Sequence, residues 1–249
     1  MDVGIYKGAA SLAAYEKWQE AISQNIAQGS IPGFKKTDVA FSAIESDLTS
    51  IQNGSNSVQG AMPSASPRIS MAQGQLSHTD SDLDFAIQGK GFFQVKQPNG
   101  DLAYTRNGQF HVDAQKTLVT SQGFPVMGAG GPITLNEAGG TIAINAQGMI
   151  TQSDQQIGQL PTYNFSDTSN LQRAGGGFLI PSDPSIKPQK VENPQIVNHS
   201  LEDSNVSSLT EMVNLVSVSR AYEASQKVIQ TADDDADKAI QTFGNTGNG

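Results

Sequence analysis

The chain has 249 residues, of which 37% are apolar and 6% aromatic, with 25 glycines and no cysteine. Its net charge of −9 argues against nucleic-acid binding, because no basic stripe is present to neutralise a phosphate backbone. The lack of cysteine excludes disulfides, a thiolate nucleophile and cysteine-based metal sites. We expect no membrane insertion, since no apolar run reaches the length of a membrane span, and no cleaved signal peptide.

The first predicted element is a helix from Val3 to Gln28. Apolar and small residues recur there at alternating spacings of three and four, as in a helix that packs on other helices. This seam contains Ile5, Gly8, Leu12, Tyr15, Gln19, Ile22 and Ile26. Gly29 and the Pro32-Gly33 pair predict the end of the helix.

Residues 37–80 are polar and low in complexity, being rich in Gly, Ser, Asn, Gln and Pro. Such a composition predicts an extended arm or linker with one short strand. The segment therefore separates the N-terminal helix from the part of the chain that follows.

A period of two begins at Asp82 and predicts a half-buried strand. Its inward residues are Leu83, Phe85 and Ile87, and its solvent-facing residues are Asp82, Asp84 and Ala86. Farther on, the dipeptides Asn99-Gly100 and Asn107-Gly108 predict type I′ hairpin turns. Because similar alternation continues, residues 81–195 predict a central antiparallel β domain.

From Asn205 the rhythm of three and four returns and predicts a second helix. Its seam contains Met212, Leu215, Ser219, Tyr222, Gln226, Ile229, Asp233, Ala236 and Ile240, flanked by Leu209, Val213 and Val216. Ser208 is the predicted N-cap, with Glu211 as its capping-box partner. Neither terminal helix can bury its apolar seam alone, so we expect both to pack on each other and on neighbouring copies.

The predicted fold is therefore α+β, with the two terminal helices pairing as a coiled-coil-like layer beside a central antiparallel β-rich domain. We divide the chain into four segments. These are an N-terminal assembly helix and motif (1–36), an extended arm (37–80), a β domain (81–195) and a C-terminal assembly helix (196–249).

Three blocks of the sequence carry a resemblance to a known family. The first is ISQNIAQGSIPGFKK, the second comprises LDFAIQGKGFFQV, AYTRNGQFHVD and LVTSQGFPVMG, and the third is SNVSSLTEMVNLVSVSRAYEASQKVIQTAD. In this order they resemble the bacterial flagellar rod and hook basal-body proteins, specifically the rod subunits. The proximal-rod type is favoured over the distal-rod type, because the extra segment that follows the opening motif in the distal type has no clear equivalent here.

The resemblance implies a structural subunit of the flagellar basal-body rod, which polymerises helically into a hollow drive shaft that transmits torque from motor to hook. It implies three partners: copies of the chain, other rod subunits and the type III export apparatus. It also implies a location in the basal body after export without a cleaved signal peptide.

The seams and the matching motifs together define the expected assembly residues. In the N-terminal segment these are Ile5, Leu12, Tyr15, Ile22, Asn25, Ile26, Gly33 and Phe34. In the C-terminal helix they are Met212, Leu215, Val216, Arg220, Tyr222 and Ile229.

Other readings of the sequence carry less weight. Gly89-Lys90-Gly91 lacks the spacing of a phosphate-binding Walker motif, and His78, His111 and His199 lack metal-ligand spacing. We therefore expect no enzyme activity, no cofactor and no metal. Two alternatives remain: a secreted or periplasmic enzyme, and a secreted β-rich binding module that its terminal helices oligomerise.

Overall fold

The structure is a computed structural model that describes residues 2–46, 60–136, 140–153 and 155–245. It contains two long helices, α1 (Asp2–Gln28) and α2 (Ser208–Asn245), with strands between them. This arrangement confirms the predicted α+β class and the bounds of the N-terminal helix to within one residue. Over the residues that the structure describes, neither helix has an apolar stretch long enough to cross a membrane.

From β3 onward the strands are short and their pairs are antiparallel. The first are β1 (Thr37–Ser46), β2 (Gly60–Ile69), β3 (Leu76–His78), β4 (Phe85–Ile87), β5 (Phe93–Lys96), β6 (Leu102–Thr105), β7 (Phe110–Val112), β8 (Leu118–Thr120), β9 (Met127–Gly128) and β10 (Gly131–Pro132). They are followed by β11 (Ile142–Ile144), β12 (Met149–Gln152), β13 (Gln155–Gln159), β14 (Tyr163–Asn164), β15 (Leu171–Arg173), β16 (Phe178–Pro181), β17 (Gln189–Lys190), β18 (Ile196–Asn198) and β19 (Ser200–Glu202).

The chain divides into two compact units. The helical unit takes its described residues from Met1–Ile26, Thr37–Arg68 and Ser207–Gly249, and so contains most of α1, all of α2 and the β1–β2 pair. The β unit consists of Ala27–Lys36 and Ile69–Val206, and contains the other strands. These units do not follow the four predicted segments, since the predicted arm is split between them.

The predicted arm contains more strand than its composition indicates. β1 and β2 pair with each other in the helical unit, whereas β3 pairs with β19 in the β unit. Residues 196–206, which we assigned to the C-terminal segment, also lie in the β unit, where β18 pairs with β4. β3 and β18 form because each pairs with a strand that is distant in sequence, and a local sequence pattern does not identify such a partner.

The β unit has apolar clusters on both faces of the sheet with strand order β15-β16-β6-β5. Successive residues of a strand point to opposite faces, and the two clusters use alternate residues of these strands. The larger cluster is Phe85, Ile87, Phe93, Val95, Ala103, Phe110, Leu118, Val126, Ile133, Ile144, Ile150, Leu160, Phe178 and Ile196. The smaller one is Phe92, Tyr104, Phe165, Leu171 and Leu179.

β4 is buried more completely than the period of two predicted. Ala86 is fully buried and Asp84 is 6% exposed, so the prediction that these two residues face solvent is wrong. β18 covers the edge of β4, and the backbone carbonyl of Asp84 accepts a hydrogen bond from Ser200. Asp82, in contrast, is exposed as predicted.

The two Asn-Gly turns differ from the predicted type I′. Gly100 has a positive φ of 92°, but Asn99 has none, and type I′ requires both. Gly108 also lacks a positive φ. A Cβ at Gly108 would lie 1.7 Å from the carbonyl oxygen of Phe85, so glycine serves a close backbone approach at this position.

Candidate assembly site

In the helical unit, α1 and α2 lie side by side and run antiparallel. The Tyr222 hydroxyl donates a hydrogen bond to the Glu16 carboxylate at 3.2 Å. About two turns toward the start of α1, a Cβ built on Gly8 would lie only 2.6 Å from Cγ1 of Ile229. Glycine therefore permits a close approach of the helices here. These contacts bring two predicted seam residues of α2 against α1, while the coiled-coil geometry itself stays a prediction.

The structure places the predicted assembly residues of α1 at different depths. Ile22 is 1% exposed and belongs to the core of the protein. Leu12, Tyr15 and Ile26 are half-buried. Ile5 lies within α1, but its side chain is outside the described residues.

α2 leaves an apolar face exposed. Leu215, Tyr222 and Ile229 are half-buried and Arg220 is exposed. Four apolar residues with helical spacing are exposed by 52–76%, and we call them the α2 apolar row: Leu209, Met212, Val213 and Val216. Val218 is fully buried, although the predicted seam omitted it in favour of its neighbour, Ser219. At this one turn the buried residue is therefore one position before the predicted one.

Asn25 links the end of α1 to the start of β1 and to the first turn of α2. Its side-chain amide donates to the carbonyl of Thr37 at 2.9 Å and accepts from the N–H of Thr37 at 2.8 Å. Its Nδ2 also contacts the Glu211 carboxylate at 3.3 Å. Asn25 is 1% exposed and Glu211 5%. A buried amide whose donor and acceptor are both used holds its neighbours in fixed positions.

The start of α2 differs from the predicted capping box. The helix begins at Ser208, and the N–H of Glu211 donates to the carbonyl of Ser207 at 2.9 Å. The residue that caps the helix is therefore Ser207, and the predicted Ser208 is wrong by one position. The Glu211 side chain bonds to Asn25 rather than closing a capping box.

The predicted motif that follows α1 docks on the β unit through Gly33. Its φ of 69° lies in the left-handed region, and its N–H donates to the carbonyl of Glu202 at 2.5 Å. A Cβ here would lie 2.3 Å from the carbonyl carbon of Arg106 and 2.5 Å from the nitrogen of Asn107. Both the conformation and the contact therefore require glycine.

Glu202 is fully buried and holds two buried cations. Its carboxylate accepts hydrogen bonds from Nζ of Lys35, from Nη1 of Arg106 at 3.0 Å and from the N–H of Gly74 at 3.0 Å. Lys35 also donates to the carbonyl of Ala72 at 2.8 Å. We call Lys35, Arg106 and Glu202 the Glu202 cluster. Each charge of the cluster is stabilised by an opposite charge, because a buried charge without a partner is strongly destabilising.

Burial perturbs the cations of this region. It lowers the pKa of Lys35, and the hydrogen bond and charge of Glu202 oppose that shift. Burial likewise lowers the pKa of Arg106 against the charge of Glu202, and it lowers the pKa of Arg173 to about 10. The Arg173 guanidinium lies 4.4 Å from the ring centre of Phe34 and donates to the carbonyl of Lys35. The predicted residue Phe34, 1% exposed, is thus packed against a cation.

Asn205 makes a second polar connection in the β unit. Its backbone N–H donates to the carbonyl of Phe34 at 3.3 Å, and its Oδ1 accepts from the N–H of Lys36 at 2.7 Å. Its Nδ2 donates to the carbonyls of Ser70 at 3.2 Å and Ala72 at 2.9 Å. One side chain therefore joins three stretches of chain.

Sequence reasoning missed Arg106, Arg173, Glu202 and Asn205 as members of this site. Asn205 was assigned to the start of the helix, and Arg106 stood beside a predicted turn. The available signal was a charged residue, Glu202, six residues before the start of the C-terminal helix. Its partners lie up to 167 residues away, so spacing does not identify them.

Comparison with known proteins identifies the family. Residues 86–152 match the model of the flagellar hook protein FlgE/F/G D1 domain, and residues 197–242 match that of the flagellar basal body rod FlgEFG protein C-terminal region. The flagellar basal-body rod protein FlgF of Rhizobium meliloti is 33% identical to the chain, over 98% of the chain and 99% of that protein. The chain belongs to the flagellar basal-body rod proteins.

Other rod proteins show a similar likeness. FlgF of Mesorhizobium japonicum is 32% identical over 98% of the chain and 99% of its own length. FlgG of Buchnera aphidicola subsp. Acyrthosiphon pisum is 34% identical over 88% of the chain and 92% of its own length. The resemblance inferred from the sequence is confirmed, and the FlgF relatives are of the favoured proximal type.

Membership in this family makes the chain a structural rod subunit of the flagellar basal body and not an enzyme. It favours the rod subunit over the secreted binding module that we considered as an alternative. Of the polar residues described above, Arg106 lies in the first matched region, whereas Glu202, Asn205 and Glu211 lie in the second.

Proposed function

We propose that α1 and α2 join neighbouring rod subunits into a helical shaft, in which the paired helices form a coiled-coil-like layer. Heterologous contacts that repeat with a helical operator give an open tube rather than a closed ring. Such a tube transmits torque from the motor to the hook. Its partners are copies of the chain and the rod subunits above and below.

The observation that carries this proposal is the α2 apolar row. Four large apolar side chains on one helix face are more than half exposed, although monomeric proteins seldom leave such groups together on the surface. Burying them against a neighbouring subunit contributes about 25 cal/mol per Å² of apolar surface. The predicted assembly residues Met212 and Val216 belong to this row. Ile22 and Asn25, being buried within the chain, position α1 instead of contacting a neighbour.

We further propose that the chain reaches the basal body through the type III export apparatus without a cleaved signal peptide. Support comes from its membership in the flagellar basal-body rod proteins.

The test replaces two residues of the α2 apolar row, Leu209→Gln and Val216→Gln, in the full chain. We expect the variant to keep its helix content, because both side chains are exposed, but to lose polymerisation in sedimentation and electron microscopy. Val228→Gln is the matched control, since Val228 is 67% exposed on α2 outside the row. Polymers of normal length in the double variant would contradict the proposal.

A further inference from the structure

The β unit holds both segments of chain that lead to the terminal helices. We call residues 27–36 connector 1, which follows most of α1, and residues 203–206 connector 2, which precedes α2. Connector 1 is bonded through Gly33 to the backbone of Glu202 and through Lys35 to its carboxylate. Connector 2 begins at the next residue. Both connectors are therefore fixed at one place on the β unit.

The connectors are also bonded directly to each other. Asn205 of connector 2 donates to the carbonyl of Phe34 and accepts from the N–H of Lys36, both in connector 1. The same side chain reaches the carbonyls of Ser70 and Ala72, which lie in the chain that leads to β3. Displacing one connector therefore breaks bonds of the other.

This joint is polar, and its chemistry matters for resistance to turning. Apolar attraction has no preferred direction, so side chains in apolar contact can slide past one another. Hydrogen bonds weaken steeply as their angle changes. Glu202 is fully buried and Asn205 accepts or donates four bonds, so rotation of either connector costs several directional bonds at once.

We propose that Glu202 and Asn205 are positioning residues that lock both connectors to the β unit, so that torque entering through the helices reaches the β unit without the connectors turning. This inference rests on the proposed function as a torque-transmitting rod subunit. It assigns to two residues, which lie outside the helices, a part in transmission that is separate from subunit polymerisation.

The first test is hydrogen exchange of the purified full chain by mass spectrometry. In Glu202→Gln we expect the amides of residues 30–36 and 70–74 to exchange at least about tenfold faster, because local opening is easier. Peptides from β12 and β13, which contain no member of the Glu202 cluster, serve as the internal reference and should be unchanged. Glu192→Gln, an exposed glutamate of the same unit, is the matched control.

Two results would overturn the proposal at this stage. Equal acceleration across the β unit would make Glu202 a general stabiliser of the fold, and unchanged exchange in residues 30–36 would show that the connector is held by other contacts. Asn205→Ala leaves all charges in place and provides the same comparison where Glu202→Gln does not fold.

The second test measures swimming at low and high viscosity in bacteria that carry each variant. We expect basal bodies in normal number, normal swimming under low load, and a growing deficit relative to wild type as load increases. An equal deficit at every load overturns the inference about the joint. Absence of the wild-type chain from purified basal bodies would instead contradict the rod function itself, so the two failures are distinguishable.

Discussion

Asn25 and Glu211 share a buried hydrogen bond of 3.3 Å, although 186 positions separate them in the chain. The bond joins the last turns of α1 to the first turn of α2. Nδ2 of Asn25 can serve Glu211 and Thr37 together because an amide nitrogen carries two N–H groups. An aspartate at this position has no such donor.

We therefore expect Asn25→Asp to lower the free energy of unfolding of the helical unit by about 2–4 kcal/mol, since it places two buried carboxylates together. Adding Glu211→Gln should recover roughly half of the loss, because the glutamine amide can donate to the new carboxylate. Trp18, the single tryptophan, packs 5.3 Å from the ring centre of Phe41 and reports unfolding by its fluorescence in urea.

Gln19→Glu is the control for this pair, because it adds the same charge at an exposed position of α1. It should change the stability by less than about 0.5 kcal/mol. A double variant no more stable than Asn25→Asp would contradict the proposed contact between the two side chains.

Gly33→Ala should destabilise the β unit by more than about 2 kcal/mol, because a side chain is strained at this φ and collides with the backbone of Arg106. Gly100→Ala is a matched control with φ of 92° and open space around its Cβ position. It should cost only about 1 kcal/mol for conformation. Urea unfolding followed by circular dichroism measures both, and equal losses would show that the contact with Arg106 adds nothing.

Gly8 and Ile229 should show strong coupling, because the new Cβ in Gly8→Ala meets the Ile229 side chain. In the wild-type background we expect this substitution to be destabilising. In an Ile229→Ala background it should stabilise by up to about 1 kcal/mol, the helix-propensity gain of alanine over glycine. Thermal unfolding of the four proteins measures the coupling, and Val228→Ala in place of Ile229→Ala should give additive effects. A stabilising Gly8→Ala in both backgrounds would sink this prediction.

The lowered pKa of Lys35 predicts a pH dependence. The pKa of Lys35 in the folded chain lies below its usual value of 10.5. As the pH rises toward 10.5, the folded chain therefore releases this proton before the unfolded chain does. The unfolded state therefore binds more protons in that window, and this group makes stability rise with pH. The stability of wild type relative to Lys35→Met should accordingly increase as the pH approaches 10.5 from below.

Denaturant titrations at several pH values measure this difference. Lys90→Met, at an exposed lysine, is the control variant. A difference between wild type and Lys35→Met that falls as the pH rises would refute the prediction.

The helices and the strand-rich middle were predictable because their signals are local. Periodicity located α1 and α2 and placed Ile22, Tyr222 and Ile229 against other parts of the protein. The burial of Asp84 and the close approach of Gly108 were not predictable, since both depend on β18, β19 or a distant carbonyl. The partners of Glu202 and Asn205 escaped prediction for the same reason.

The Lys35–Glu202 ion pair sets a condition on the order in which the molecule acquires its structure. Lys35 is made early in synthesis, but its counter-ion, Glu202, follows 167 residues later. Until Glu202 has been made, the β unit lacks β19 and the bonds that hold connector 1. Its folding is therefore completed only after most of the chain is present. Contacts with such large sequence separation form slowly, because the intervening loop must first be closed. The β unit is thus completed by one of its last strands, β19, and not by the segment that follows α1.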